Sequence, residues 1–321
     1  MAPVHHTGLV AKLKTPRKIP NHTQGLLHPR NVHRAPYDFG RLVAASPALR
    51  EFVRPHPVAG ETIDWADPAA VLALNRALLK LHYGIAHWEI PPGYLCPPIP
   101  SRVDALHALA DLLADGGALP AGSAVRVLDI GTGANCVYPL LGTALHGWSF
   151  VGTEIDPVAV TAARRNVAGN PALADRIEIR RQSSPGAIFT GVVNPGESFA
   201  LSLCNPPFHA SAEEAAEGSR RKVRNLRGDR KPSLPTLNFG GRSHELWCDG
   251  GELAFVRGMI TESAAHSALC TWFTTLVSKR GNLPAIERAL ANVQPADIRI
   301  LPLFAGQKQT RIVAWTFRRR R

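Results

Sequence analysis

"VLDIGTGANC" (Val127 to Cys136) is the stretch that decides how the rest of the chain is read. Its apolar lead-in has strand character, its two glycines permit a tight turn, and the residues after them can start a helix. Strand, glycine turn and helix in that order form the opening unit of a doubly wound α/β fold. The neighbouring segments extend the pattern. "AVRVLDI", "WSFVGTEI", "RIEIR" and "FALSLCN" predict strands, with "NCVYPLLGTAL" and "PVAVTAARRNVAG" as helices between them. Further on, "ELAFVRGMITESAAHSA" and "LPAIERALANV" predict helices, "CTWFTTLVS" a strand, and "DIRILPL" with "TRIVAWTF" a closing pair of strands. Such alternation implies a mostly parallel sheet covered by helices on both faces. The expected fold over residues 101–317 is therefore α/β, with a doubly wound, seven-stranded, Rossmann-like sheet.

Upstream the pattern is helical. "DPAAVLALNRALLKLHYGI" has Asp67 as N-cap, Pro68 at the first helical position, and Val71, Leu74, Leu78 and Leu81 on one face. A proline-dense linker follows, "IPPGYLCPPIP" (Ile90 to Pro100). Then "SRVDALHALADLLADGG" predicts a helix opening on a capping box, Ser101 to Asp104, and stopping at Gly116 and Gly117. Residues 1–25 read as a flexible basic arm, 26–100 as a small N-terminal helical and basic module, and 318–321 as an arginine tail.

Composition narrows the function classes. The chain has 321 residues, enough for a full core. No run of eighteen apolar residues suggests a membrane span, and the first residues lack the apolar block of a secretory signal. The five cysteines (96, 136, 204, 248 and 270) form no CxxC pair, which argues against a disulfide framework and against a metal site. Small buried thiols in a reducing cytosol are the expectation. The net charge of +12 points to a polyanionic partner. Much of the excess lies in "RRKVRNLRGDRK" (Arg220 to Lys231), within a segment, 209–241, that is too long and polar for a simple connector. It reads as a mobile basic loop closing over a nucleic acid backbone.

Two cofactor classes use a turn like the one at Gly131. Dinucleotide enzymes need G-x-G-x-x-G, but Cys136 stands where the third glycine belongs. S-adenosylmethionine has no pyrophosphate and needs only close backbone approach, for which Gly131 and Gly133 suffice. Glu154, at the end of the next strand, is placed to accept ribose hydroxyls, with Asp156 as the fallback.

"SLCNPPFHAS" (Ser202 to Ser211) separates the two classes. Neither proline can continue a ladder, so the strand stops at a rigid corner. Ligands of open α/β sheets bind beyond the carboxyl ends of the strands, beside the glycine turn. An exocyclic adenine amine is a poor nucleophile because its lone pair is delocalised into the ring. Two acceptors aimed at its N–H bonds pull the nitrogen toward tetrahedral geometry. Asn205 offers a side-chain oxygen, Pro206 a carbonyl whose direction Pro207 fixes, and Phe208 a face on which an extruded base can stack. Asn205, Pro206, Pro207 and Phe208 are the catalytic candidates of an amino methyltransferase. A protein-glutamine N5-methyltransferase poses the same lone-pair problem and remains an alternative, as does N6-adenine methylation of another structured RNA.

Longer stretches carry a family resemblance: "GLHPRNVHRAPYDF", "ALNRALLKLHYGIAHWEIPPGYLCPPIPSRVD", "LDIGTGANCVYPL", "LCNPPFHAS", "LNFGG", "ELWCDGGE", "WFTTLVSKRGNLP" and "GQKQTRIVAWTF". Together they resemble the bacterial 23S ribosomal RNA (adenine-1618-N6)-methyltransferase family, which is related to the eukaryotic small nuclear RNA adenine-N6 methyltransferase. The match runs from about Gly25 to Phe317 and is loosest at "GDRKPSLPT". The resemblance implies the class I S-adenosylmethionine-dependent fold, S-adenosylmethionine as cofactor, and a partner that is 23S ribosomal RNA or a large-subunit assembly intermediate. It implies that Arg102 reaches the cofactor carboxylate, that Gly131 and Asn135 line the cofactor, that Glu154 holds its ribose and that Ser184 meets the adenine end. With Asp129, Gly133 and Asn205 these make up the cofactor-binding candidates. The N-terminal module would contact RNA through Lys18, Arg30 and Arg34, and the basic loop through Arg220, Arg221, Lys222 and Arg224. A cytoplasmic monomer without metal is expected.

Overall fold

The protein is described here from a computed structural model that covers residues 17–18, 26–184, 186–211, 213–214, 245, 247–305 and 308–319. Arg17–Lys18 form a two-residue strand, β1. Helix α1, Phe39–Ala45, is capped by the Asp38 carboxylate, and a hairpin follows, Arg54–His56 (β2) with Gly60–Thr62 (β3). Helix α2, Pro68–Tyr83, begins as its sequence dictates. The Asp67 side chain accepts the Ala69 N–H at 2.9 Å, Pro68 supplies a preset φ, and Gly84 ends the helix at φ 66°.

Helix α3, Ile99–Ala114, departs from the expected start at Ser101. No capping box forms. The Ser101 hydroxyl donates to the Pro98 carbonyl at 3.0 Å, and Asp104 is buried, accepting from the His28 backbone N–H and from Asn31 Nδ2. A tertiary contact has taken the carboxylate that a local cap would use. The boundary expected between residues 100 and 101 thus falls inside the first turn of α3. His28 and Arg30 also meet Asp111 on the same helix, at 2.8 and 2.7 Å.

The remaining elements alternate: β4 (Arg126–Ile130), α4 (Val137–His146), β5 (Ser149–Glu154), α5 (Pro157–Ala168), α6 (Pro171–Ala174), β6 (Ile177–Arg181), β7 (Phe199–Cys204), α7 (Gly251–Ala265), β8 (Cys270–Val277), α8 (Leu283–Val293), β9 (Asp297–Ala305) and β10 (Lys308–Thr316). The sheet order is β1-β9-β10-β8-β7-β4-β5-β6. Seven strands make up its body, and β1 adds two backbone pairings along β9. β10 runs antiparallel to both neighbours, whereas β6, β5, β4, β7 and β8 are parallel.

The period of two along the strands divides the core. Val127 and Leu201 face a layer built from α2, α3 and the N-terminal module, including Leu42, Leu74, Leu78 and Leu106. Leu128, one residue on, faces the other layer with Val256, Met259, Phe273 and Trp315. Each such buried side chain contributes about 1.5–3 kcal/mol. The N-terminal module therefore shares one apolar layer with the sheet.

Candidate active site

From β4 the chain proceeds to β5 and β6 on one side, then returns to β7 on the other. The gap outside the ends of β4 and β7 is the topological switch point, where doubly wound sheets bind ligands. Register fixes what meets there. Ile130 pairs with Cys204, so Gly131 and Asn205 leave the sheet side by side.

The glycine turn needs its glycines. Gly131 and Gly133 have φ 69° and 66°, and a side-chain carbon on Gly131 would point into open space, leaving room for a ligand against the backbone. The Asn135 side-chain oxygen accepts the Val137 N–H at 3.1 Å, and its amide leans toward the Leu95 carbonyl at 3.4 Å. From behind, Trp88 Nε1 donates to the Asn135 carbonyl at 2.8 Å. Glu154 closes the turn: one oxygen accepts the Gly133 N–H at 3.0 Å, the other the Ile155 and Asp156 N–H groups at 2.8 and 3.1 Å. A carboxylate has about four acceptor sites, so capacity remains on the Gly133 side. Burial raises the Glu154 pKa, and these backbone donors oppose that rise. Asp156, the fallback, is engaged elsewhere. It caps α5 through Val158 N–H and accepts from the Tyr94 hydroxyl at 2.5 Å.

The cavity above this turn has a volume of about 410 Å3, in the range of small-molecule sites. Arg102, Gly131, Gly133, Asn135 and Glu154 line it, and so do Asn205, Pro206 and Pro207. Arg102 is largely buried, its guanidinium 5.5 Å from the Tyr138 ring centroid. Asn205 Oδ1 is buried and has no hydrogen-bond partner among the described residues. A buried acceptor left in that state costs about 1–3 kcal/mol, a cost that a ligand N–H would relieve.

Three other candidates lie off the cavity wall. Asp129 is 1% exposed beneath the turn. Burial pushes its pKa up to about 7, the Glu154 charge adds to the rise, and Arg102 opposes it. Ser184 sits behind Gln182, whose side chain accepts its N–H at 2.9 Å and itself lines the cavity. Phe208 is half-buried beside the corner. Sequence reasoning assigned no role to Gln182, Glu245 or Trp247, all on the wall. "ELWCDGGE" contains two of them but has no periodicity from which a role could be read.

The RNA candidates divide. Arg30 is engaged within the protein, donating to Asp111 at 2.7 Å and to the His107 carbonyl at 3.2 Å. Arg34 is exposed. Lys18 has its backbone paired with Ile300. Arg220, Arg221, Lys222 and Arg224 lie outside the described residues, as does most of the 209–241 segment. Among the described residues no cluster of three or more His, Cys, Asp or Glu could hold a metal ion, and no helix is long and apolar enough to cross a membrane.

Comparison with known proteins adds names to this geometry. A family profile described as RNA methyltransferase matches residues 21–319. The ribosomal RNA large subunit methyltransferase F of Aeromonas salmonicida is 54% identical over 292 residues, 91% of each chain. The protein of that name from Pseudomonas aeruginosa is 53% identical, over 91% of this chain and 88% of its own. The human METTL16 catalytic domain, solved in complex with a MAT2A 3'UTR hairpin, superposes with a TM-score of 0.75 at 29% identity, covering 91% of this chain and 96% of that one. The N-terminal domain of human METTL16 in complex with SAH gives 0.72 at 26% identity, over 91% and 99%.

Proposed function

The chain belongs to the RNA methyltransferase family, and from that premise we propose that it methylates the N6 amine of one adenine, position 1618, in 23S ribosomal RNA, with S-adenosylmethionine as donor. The observation that carries this reading is the buried Asn205 oxygen without a partner among the described residues, at a corner that register sets beside the glycine turn.

The residues present fit the donor. Arg102 would meet its carboxylate, Glu154 its ribose hydroxyls, and Gly131, Gly133 and Asn135 its close approach to the backbone. When bound, S-adenosylmethionine supplies a methyl group activated by a sulfonium. Everything else is positioning by this chain. Asn205 Oδ1 and the Pro206 carbonyl accept the two N–H bonds of the adenine amine and free its lone pair for in-line attack. As the N–C bond forms the nitrogen sheds one proton, which needs no dedicated base because the methylated amine in that state is strongly acidic. Phe208, beside the corner, offers a face on which the extruded base can stack. The +12 charge supports a nucleic acid partner over a protein one, and a cytoplasmic site of action follows from a ribosomal RNA substrate.

Mapping N6-methyladenine in 23S RNA by mass spectrometry, from cells with and without the gene, tests the reading. Loss of one methyl mark at a single adenine is expected, restored by the purified protein and S-adenosylmethionine. Label appearing instead on protein glutamine, or an unchanged RNA, overturns it.

A further inference from the structure

The six tryptophans of the chain are not used alike. Trp88, Trp148 and Trp315 are buried, and their indole N–H groups donate to the Asn135 carbonyl, the Pro120 carbonyl and the Ser263 hydroxyl. Trp272 is buried with the Arg299 guanidinium 4.9 Å from its ring centroid, and Trp65 leans on Tyr37. Trp247 does none of this. It is half-buried, and among the described residues its indole joins no apolar layer and makes no hydrogen bond or ring contact. The backbone that carries it is nevertheless held. Trp247 forms a parallel bridge with His209, and the Cys248 N–H donates to the His209 carbonyl at 3.2 Å. Gly251, at φ 64°, packs so closely here that an added side-chain carbon would lie 3.1 Å from the Ala210 nitrogen. His209 comes four residues after Asn205, so at most about 14 Å of extended chain separates that residue from the bridge. Trp247 lines the same cavity as Asn205, Pro206 and Pro207. Two other aromatic residues reach this wall, Tyr138 and Phe255, but both are part of the packing of the apolar layers.

We propose that Trp247 is the face that sets the plane of the target adenine inside the cavity. The inference rests on an extruded adenine being the methyl acceptor. Asn205 Oδ1 and the Pro206 carbonyl would hold one edge of the base, through the two N–H bonds of its amine. A base held at one edge can still tilt about it. The lone pair of the amine lies along the normal to the ring, so a tilted ring aims it away from the methyl group and in-line transfer is lost. A flat partner on the ring face removes the tilt. Indole offers a large rigid face on only two torsions, and here its backbone is already fixed. The residues that fit the donor, Arg102 and Glu154, belong to α3 and β5. Trp247 is tied instead to the chain that leaves the corner, which places it with the acceptor.

The test uses the full chain, a 23S RNA fragment spanning the target adenine and labelled S-adenosylmethionine, in wild type, Trp247→Phe and Trp247→Ala. In Trp247→Ala, kcat/KM for the RNA falls about 10-fold to 100-fold, the size of one lost stack, while donor affinity by isothermal titration stays within about twofold. Trp247→Phe keeps a smaller ring and stays within about fivefold of wild type. Titration stoichiometry reports the folded fraction, so rates are referred to folded protein. Unchanged kcat/KM in Trp247→Ala overturns the inference, and so does weakened donor binding, which would set the indole against the donor. A second readout separates stacking from support of the fold. The fragment is made with 2-aminopurine at the target position, a fluorescent base that indole quenches on stacking and phenylalanine does not. Emission stays low with wild type and rises with Trp247→Phe, although that variant still methylates the natural fragment. Equal emission from the two complexes overturns the proposal. Failure of the wild type to methylate the natural fragment removes the acceptor assignment, and the inference with it. Normal wild-type transfer with unaffected variants removes only the role of Trp247.

Discussion

Asn166 and Asn170 on one side of the glycine turn, and Asn205 on the other, are asparagines treated in opposite ways. Asn166 is fully buried, and its oxygen accepts the Glu89 N–H at 2.8 Å while its amide donates to the carbonyls of Glu89 and Ala134. Asn170 does the same for its neighbours, accepting from Ala86 and His87 and donating to His87 and Asn166. Between them they fasten the 86–89 segment to α5 and brace the back of the turn. The Asn205 oxygen, at the cavity, has no such partner among the described residues. One side chain type thus serves two purposes: complete pairing makes a brace, and an acceptor left open in a cavity makes a place for a ligand.

The comparison breaks most visibly at Asn205. Replacing it with alanine should lower methyl transfer by about 100-fold to 1000-fold, the usual loss when one preorganised polar group is removed, with RNA affinity within about threefold by filter binding. Unchanged turnover would mean that the open acceptor is incidental. Asn166→Ala should behave the other way, costing about 1–3 kcal/mol in denaturant unfolding because it strands the buried Ala134 carbonyl and the part-buried N–H and carbonyl of Glu89. At the edge of the same brace, Gly169 faces the His87 ring: an added side-chain carbon would lie 2.4–2.7 Å from its atoms. Gly169→Ala should therefore cost about 1–3 kcal/mol by overpacking, despite the better helix propensity of alanine. A stabilised variant would show that the 86–89 segment is free to shift.

The smallest effect concerns acid. Burial lowers the pKa of His107 to about 3, and that of His33 and His146 to about 4. An unfolded histidine titrates near about 6.5. The unfolded chain therefore takes up protons first, and the stability these rings contribute is complete above pH of about 6.5 and declines as pH falls toward 4. Melting temperature should drop between pH 7 and 5, and His107→Phe should flatten that slope.

How much of this was legible depended on whether the deciding contacts were local. The strands from β4 onward could be read from periodicity, and the Asn205 corner from two prolines that no ladder tolerates. Asp67 before Pro68 marked α2 correctly because an N-cap is a contact between near neighbours. Ser101 and Asp104 had the same look of a cap, yet Asp104 is taken by His28, 76 residues away. Asn166 reads as an ordinary polar helix residue, since nothing nearby announces that its partner is Glu89, 77 residues distant. Glu245 and Gln182 were missed for a related reason: neither lies in a stretch of sequence whose periodicity announces that it reaches the cavity.

Cys136 stands where a dinucleotide-binding turn has its third glycine, and it keeps the glycine's left-handed backbone at φ 50°. Its side chain is entirely enclosed, and burial, reinforced by the Asp129 charge, keeps the thiol protonated. Such a sulfur cannot react until the turn opens. The rate at which a thiol reagent labels Cys136 is therefore a clock for breathing of the cavity floor, carried by the natural sequence at the spot where a ligand's grip would be felt first.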